Sequence, residues 1–467
     1  MATGTGSPIR ETAMKFRHQI LFGLPVVMLV CGVLSVPVEA QFTQQGPKLV
    51  GTGAVGPAEQ GRSVSLSGDG NTAIVGGSAD NNSTGAAWVF TRSGGVWNQQ
   101  AKLVGTGAEG QAAQGISVSL SGDGNTAIVG GWADNNLIGA AWVFTRSNGV
   151  WSQEQKLVGA GVLGPVASQG FSVSLSGYGT TAIVGGPGDG PHGGPTGDGS
   201  GAAWVYTRSG GVWTQQGPKL VGTGAERVGA NLGYSVSLTA DGNTAIVGAP
   251  QDPGAVGAAW VFTRSGGVWS QQGPKLVGTD AVGAQSQGFS VSLSGAGNTA
   301  IVGGPFGASA GGAAWVYTRS DGMWTQQTKL VGAGWSVSLS GDGNTAMVGE
   351  PGDGAAVYTR SGGVWSQQGP KLVGSGAVGL AFQGTSVSLS GDGNTAIVGG
   401  PNDNSNIGAA WVFAQPVFAG TPGKANCHGQ SVSALARQYG GLNGAAAALG
   451  FADVSALQND MMGFCGG

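Results

Sequence analysis

Hydrophobic and polar residues alternate in a pattern that recurs seven times along the chain. The first copy reads SVSLS at residues 63–67, GDGN at 68–71 and TAIVGG at 72–77. Near-copies begin at Ser117, Ser172, Ser235, Ser290, Ser336 and Ser386. An apolar/polar alternation of period two predicts a strand at 63–67, and the Gly, Asp and Asn residues that follow predict a tight turn into a returning strand. Each copy therefore begins with a β-hairpin.

Two more strands complete each copy. GAAWVFTR at 85–92 predicts the third strand, and after a turn at 93–97 the fourth runs to KLV at 102–104. Other copies place Asn148-Gly149 or Asp321-Gly322 in this turn, which is the strongest signal for a two-residue hairpin. The copies begin 46 to 63 residues apart. A four-stranded antiparallel meander of that period is typical of one blade of a β-propeller, so the predicted fold class is all-β.

The chain also contains a strand that closes the ring. The seventh copy ends at residues 411–413 without a fourth strand, whereas QFTQQGPKLV at 41–50 matches the fourth strand WTQQGPKLV at 213–221. If the N-terminal strand completes the last copy, no blade keeps an open edge. The sequence therefore predicts a seven-bladed propeller over residues 41–414.

Bulky and small residues alternate in a way that suits stacked blades. Trp88 and Phe90 project from one face of their strand, while Ala87 leaves room on the other. We therefore expect the repeated tryptophans to pack between blades and not to form ligand platforms. Arg92 lies across its turn from Trp97, which predicts a cation–π contact; a ring of anion-binding arginines is the alternative.

Several motifs resemble FG-GAP repeats, the blades of the integrin α-chain propeller and of many exported bacterial proteins. They are Gly170-Phe171 before the first strand, GAP at residues 248–250 after the second, and GAAWV followed by Phe or Tyr in the third. The resemblance covers residues 41–414 and implies a propeller. A kelch-type repeat, which Gly76-Gly77 and the spacing of Phe90 and Trp97 also suit, implies the same fold.

FG-GAP blades often carry a calcium loop with several aspartates, and the corresponding turn here does not. It holds the single carboxylate of Asp69, whereas calcium takes six to eight oxygen ligands. Tyr178 and Ala296 replace even this aspartate in two copies. We therefore expect no metal or other cofactor, and we interpret Asp69 and its equivalents as turn formers.

The candidate ligand-binding residues lie in the loops between the second and third strands, which vary in length and sequence while the tight turns do not. They are Asp80, Asn81, Asn82, Asp134, Asn135, Asn136, Asp189, His192, Asp198, Asp403 and Asn404. The Asp-Asn-Asn runs could bind a sugar or a cation, or could simply be solvated turns. Asp189, His192 and Asp198 form a possible metal trio within a Gly-rich insertion at 187–200, for which a chance insertion is the alternative.

Residues 1–40 are predicted to be a cleaved export signal. Basic residues precede an apolar run at 20–36, and VEA at 38–40 suits cleavage after Ala40. An uncleaved anchor and a lipid on Cys31 are alternatives, and Met14 is an alternative start. We expect a secreted, cell-surface or periplasmic protein that has no membrane span once the signal is removed.

Beyond the blades, residues 415–426 are predicted to be a linker, and residues 427–467 a small helical module. Val432, Leu435 and Tyr439 share one helical face, which ends at Gly440. Two or three short helices bury little core by themselves. In an exported chain, Cys427 and Cys465 suggest a disulfide. The module would serve either for docking or as a cap on the propeller.

Composition limits the possible functions. The formal net charge is -3 and no basic run occurs, so we expect no nucleic-acid partner and no anionic membrane partner. Near-identical blades supply no converging nucleophile and base, so we expect a protein that is not an enzyme. The predicted function is binding or adhesion, with an extracellular glycan or a surface protein as the partner. A hydrolase or lyase acting on extracellular polymers, or a structural surface-layer component, are the alternatives.

Overall fold

Seven four-stranded antiparallel sheets account for most of the computed structural model. The structure describes residues 41–190, 199–225, 229–252, 254–281, 283–306, 312–416, 424, 426–449 and 451–466, so the predicted export signal lies outside the described residues. The predicted all-β, seven-bladed propeller is confirmed.

Each blade has an inner, a second, a third and an outer strand. In blade order, the inner strands are Ser63–Leu66, Ser117–Leu120, Ser172–Leu175, Ser235–Leu238, Ser290–Leu293, Ser336–Leu339 and Ser386–Leu389. The second strands are Thr72–Gly77, Thr126–Gly131, Thr181–Gly186, Thr244–Ala249, Thr299–Gly304, Thr345–Glu350 and Thr395–Gly400. The third are Ala86–Ser93, Ala140–Ser147, Ala202–Ser209, Ala258–Ser265, Ala313–Ser320, Gly354–Ser361 and Ala409–Ala414. The outer are Val96–Leu103, Val150–Leu157, Val212–Gln215, Val268–Gln271, Met323–Val331, Val364–Gln367 and, for blade seven, Thr43–Gln44.

The antiparallel order separates the connections onto two faces. The loops between second and third strands and the blade-to-blade connections leave one face, which we call the loop face. The two tight turns of each blade leave the opposite face, which we call the turn face.

The serines of the repeated SVSLS segment join and close the blades. The Ser63 hydroxyl donates to the Gly115 carbonyl oxygen of blade two at 2.9 Å, and the Ser65 hydroxyl oxygen accepts the Leu120 N–H of the same blade at 3.1 Å. The third serine, Ser67, accepts the Thr72 N–H within its own turn. Val64 and Leu66, between them, are buried. Each serine therefore has a separate structural task, which accounts for the near-constant sequence.

Successive inner strands contact one another around a central channel, the seventh reaching the first. At the turn face the Gly68 N–H donates to the Gly122 carbonyl oxygen of the next blade at 2.8 Å. The Gly68 carbonyl oxygen in turn accepts the Asp392 N–H of blade seven at 3.2 Å. A Cβ added to Gly68 would lie 3.0 Å from the Gly122 oxygen, so glycine permits this close approach. This end of the channel is lined by backbone.

The outer strand of blade seven comes from the N-terminal end of the propeller. Thr43 pairs with Ala414 and Gln44 with Phe413, and an isolated bridge joins Leu49 to Ala410. The last blade thus has four strands like the other six.

The tryptophans of the third strands are packing residues, as predicted. Trp88, Trp142, Trp204, Trp260, Trp315 and Trp411 are fully buried. Gly51 lies against the Trp88 ring so closely that an added Cβ would overlap it. In blade six Ala356 replaces the tryptophan and pairs with Val348, the equivalent of the valine that pairs with the tryptophan in the other blades.

Three right-handed helices, Cys427–Tyr439, Leu442–Ala448 and Val454–Gly466, form the helical module. The predicted disulfide between Cys427 and Cys465 is present, with a Cα–Cα distance of 5.6 Å. Leu435, Leu457 and Met461 are buried together with Ala414 at the end of the last blade strand. The Thr43 hydroxyl donates to the Leu449 carbonyl oxygen. The module therefore packs where the first and last strands of the propeller meet.

Candidate functional site

The aspartates predicted in the loop-face loops are used inside the protein. The Asp80 carboxylate is buried; one oxygen accepts the Val55 N–H at 2.7 Å and the other pairs with Lys102 at 2.7 Å. The Lys102 ammonium lies 5.2 Å from the centre of the Trp88 ring. The same aspartate–lysine pair recurs as Asp134–Lys156, Asp189–Lys219, Asp252–Lys275 and Asp403–Lys48. These carboxylates therefore anchor each loop to its own blade.

The asparagines beside these aspartates face solvent. Asp80–Ser83 is a single helical turn in which Asn81 and Asn82 have the left-handed dihedral angles (48°, 59°) and (55°, 49°). Asparagine tolerates this conformation better than most residues do. The turns Asp134–Leu137 and Asp403–Asn406 repeat it, with Asn135, Asn136 and Asn404 exposed. Blades seven, one and two thus present amide side chains on the loop face.

The predicted metal trio is only partly described. His192 and Asp198 lie outside the described residues, and Asp189 accepts the Leu163 N–H in addition to pairing with Lys219. Within the described ranges, no group of three His, Cys, Asp or Glu side chains is placed to hold a metal ion.

An arc of aromatic side chains lies at the loop-face mouth of the channel, and the sequence analysis did not predict it. Each member directly precedes an inner strand. The centres of Phe171 and Tyr234 are 4.8 Å apart, those of Tyr234 and Phe289 are 4.9 Å apart, and those of Phe289 and Trp335 are 4.8 Å apart. We call Phe171, Tyr234, Phe289 and Trp335 the aromatic arc; it spans blades three to six, and all four side chains are partly exposed.

Phe306, in the loop of blade five, extends the arc outward. Its ring is 6.1 Å from both Phe289 and Trp335 and is 49% exposed. The loop face is therefore asymmetric, with aromatic rings on blades three to six and asparagine turns on blades seven, one and two. In the sequence, these aromatic residues directly precede the SVSL segments of blades three to six, and Phe171 also belongs to the Gly-Phe pair of the family motif.

Blade six differs from the others on the loop face. Only residues 351–353 separate its second and third strands, whereas residues 78–85 do so in blade one. Leu380 is 82% exposed and Phe382 is 43% exposed, beside a cavity of about 190 Å³. Phe382 has a φ of 54°, the left-handed region that an aromatic residue seldom occupies. An apolar groove thus lies on the loop face along the connection between blades six and seven.

The turn face is occupied by structural contacts. Arg92 lies 5.5 Å from the Trp97 ring, and four further pairs repeat this predicted contact: Arg146–Trp151, Arg264–Trp269, Arg319–Trp324 and Arg360–Trp365. Arg146 also donates to Gln100 of the preceding blade at 3.0 Å. These guanidinium groups are used within the fold.

Asp69 forms its turn as predicted. Its carboxylate accepts the Ser67 hydroxyl at 2.6 Å and the Asn71 N–H at 2.9 Å. Burial alone would raise the pKa of Asp69, but these hydrogen bonds and the charge of Arg92 hold that pKa below its ordinary value of 3.8. The same holds for the pKa values of Asp123, Asp241 and Asp342.

Comparison with models of known protein families matches part of the chain. Residues 97–144 match the family model of the FG-GAP repeat. This segment begins in the outer strand of blade one and ends in the third strand of blade two, so the family unit is offset from the blade by one strand. No curated protein matches the chain. Among the described residues, no helix has the length and apolar character needed to cross a bilayer.

Proposed function

Because the chain is a seven-bladed propeller of FG-GAP repeats, we propose that it is an exported binding or adhesion protein whose loop face holds an extracellular glycan. The single observation that carries this proposal is the aromatic arc, which offers partly exposed rings at the mouth of the channel. Sugar rings present flat C–H faces that stack on aromatic side chains, and exposed asparagine amides provide hydrogen bonds to hydroxyl groups.

The proposal is binding without turnover. On the loop face the carboxylates of Asp80, Asp134 and Asp403 are paired with lysines and buried, which suits anchoring of loops better than proton transfer. Stacking and amide groups on a rigid scaffold favour recognition. The disulfide of the helical module is compatible with an extracellular location.

A surface protein is the second candidate ligand. The groove beside Leu380 and Phe382 favours it, because exposed apolar side chains next to a cavity are typical of protein contact sites.

The test is a retention screen of residues 41–467 against immobilised glycans and cell-surface extracts. Phe306→Ala and Trp335→Ala should each weaken retention of the bound glycan by up to about tenfold, since stacking on one ring contributes about 0.5–1.5 kcal/mol. Val268→Ala, at an exposed tip of the turn face, is the matched control and should retain ligand like the parent protein. Circular dichroism and melting temperature establish that all variants fold. Equal retention by all three variants would exclude the aromatic arc as the binding surface.

A further inference from the structure

Nearly all the cationic side chains of the propeller are neutralised inside the fold. Each lysine of the blades pairs with a carboxylate: Lys48, Lys102, Lys156, Lys219, Lys275, Lys329 and Lys371. The arginines of the third strands donate to Gln, Glu or Asn side chains, as Arg92 does to Gln45 and Arg208 to Glu154. The loop face is therefore poor in free positive charge.

Arg62 is the exception. Among the arginines whose side chains the structure describes, it is the one whose guanidinium has no hydrogen-bond or ion-pair partner, and its side chain is exposed. Glu59, three residues earlier, forms no ion pair with it within the described part of the chain. Five N–H donors are thus left for an acceptor from outside.

Arg62 belongs to the same ring of positions as the aromatic arc. The residues that directly precede the inner strands are Arg62, Ile116, Phe171, Tyr234, Phe289, Trp335 and Thr385. Because the inner strands surround the channel, this ring combines one free guanidinium with four aromatic side chains at one opening. The positive charge of Arg62 acts on the Tyr234 phenol, where it opposes the rise in pKa that burial causes. The arginine and the arc therefore share one site.

We propose that the mouth of the channel binds a carboxylate-bearing sugar residue of an acidic polysaccharide, with the Arg62 guanidinium pairing with the carboxylate and the aromatic arc stacking on the sugar ring. Guanidinium and carboxylate match as a planar, bidentate pair. The proposal rests on the proposed function, and it specifies the class of glycan.

The charge pattern favours this ligand over others. A densely sulfated polymer or a nucleic acid needs several free cations in a row, and the paired lysines of this face do not supply them. An acidic peptide offers a carboxylate but also backbone amides that need hydrogen-bond partners, for which aromatic rings are poor. A uronic acid residue combines one charge with an apolar ring face.

The experiment measures binding of residues 41–467 to oligogalacturonate and to its methyl ester, which keeps the sugar ring and removes the charge. Parent protein should bind the acid form roughly tenfold more tightly than the ester, because the ester removes the charge with which the guanidinium forms its stronger hydrogen bonds. Arg62→Ile should lose this preference. Ile116 occupies the same position in blade two, so the variant uses a side chain that the ring already accommodates. Arg62→Lys keeps the positive charge, so it should retain part of the preference for the acid form over the ester, and this preference should weaken as the salt concentration rises.

Each other outcome has a distinct meaning. Equal binding of acid and ester, or an Arg62→Ile variant that still prefers the acid, overturns the carboxylate site; if Trp335→Ala then abolishes binding, the proposed glycan function stands. Binding of polyglutamate but of neither sugar overturns this inference and favours the protein ligand. If neither oligogalacturonate nor any other immobilised glycan binds, the proposed glycan function fails together with the inference.

Discussion

The Glu154 carboxylate accepts two hydrogen bonds from the Arg208 guanidinium, at 2.6 and 3.1 Å, across the boundary between blades two and three. Its other oxygen accepts the Trp213 indole N–H at 2.8 Å. At other boundaries a glutamine takes this position. The side-chain oxygen of Gln100, for example, accepts hydrogen bonds from Arg146 and from the Trp151 indole of the next blade. One acceptor thus fastens an arginine and a tryptophan of the following blade.

Removing this acceptor should destabilise the ring. Glu154→Ala leaves the Arg208 charge and the Trp213 indole without partners, so we expect a loss of about 1–3 kcal/mol in the free energy of unfolding. Glu154→Gln, which copies the other boundaries, should cost much less. Urea unfolding followed by tryptophan fluorescence measures both. A loss from the glutamine variant as large as that from the alanine variant would contradict this assignment.

Asp80→Ala should loosen one loop without unfolding the propeller. The change removes the acceptor of the Val55 N–H and the partner of Lys102. We expect the Val55 amide to exchange with deuterium roughly tenfold faster, since it loses a hydrogen bond to a charged acceptor, which typically contributes about 1.5–3 kcal/mol. The Glu109 amide, held by Asp134 in blade two, is the internal control and should be unchanged. Unaltered exchange at Val55 would show that the carboxylate does not anchor the loop.

Acid should weaken the turns that contain aspartate. Because the pKa of Asp69 is lowered in the fold, its contribution to stability is present above 3.8 and is lost as the pH falls through the folded-state pKa. Asp69→Ala should therefore destabilise the protein at neutral pH, and its difference from the parent should shrink as the pH falls below about 4. Tyr178→Ala, at the equivalent turn of blade three, should show no such pH dependence. The free energies of unfolding of the parent and both variants, measured in urea at a series of pH values, test this prediction.

Gly51→Ala should be strongly destabilising for its size. The added methyl group overlaps the buried Trp88 ring, and overpacking of this kind typically costs about 1–3 kcal/mol. The double variant Gly51→Ala, Trp88→Leu should recover part of that loss by giving the methyl group room. Thermal unfolding of the two single variants and the double variant measures the coupling between the sites. If the stability losses of the single variants simply add up in the double variant, the proposed contact is wrong.

Reduction of the disulfide should release the helical module. Cys427 and Cys465 are 38 residues apart, and cross-linking a loop of that length stabilises by roughly 4 kcal/mol on the chain-entropy estimate. We expect Cys427→Ser with Cys465→Ser to expose the module to limited proteolysis while the blades stay resistant. If the module resists the protease equally well in the parent protein and in the double variant, packing against Ala414 is enough to hold it in place.

The fold was predictable because the strand and turn patterns are repeated in every blade. Strand boundaries, the positive-φ turns at Asn148 and Asp321, and the burial of the tryptophans follow from local alternation and local turn chemistry. The partner of Asp80 was not predictable in this way. Lys102 lies 22 residues further along the chain, and the two meet only once the outer strand has paired with the third.

The aromatic arc escaped prediction for the opposite reason. The repeat pattern consists of what the blades share, whereas Phe171, Tyr234, Phe289 and Trp335 occupy a position that differs from blade to blade. In a symmetric scaffold the differences between copies carry the information about ligands. The same logic distinguishes Arg62, which no other blade repeats at this position.

The pairing of Thr43 with Ala414 has a consequence for biosynthesis. Thr43 is synthesised 371 residues before Ala414, so its strand has no partner during the synthesis of all seven blades. The segment around Leu449, which is synthesised after Ala414, then packs against this pair of strands. A chain truncated anywhere before residue 409 would therefore leave a strand edge unpaired, and we expect it to aggregate.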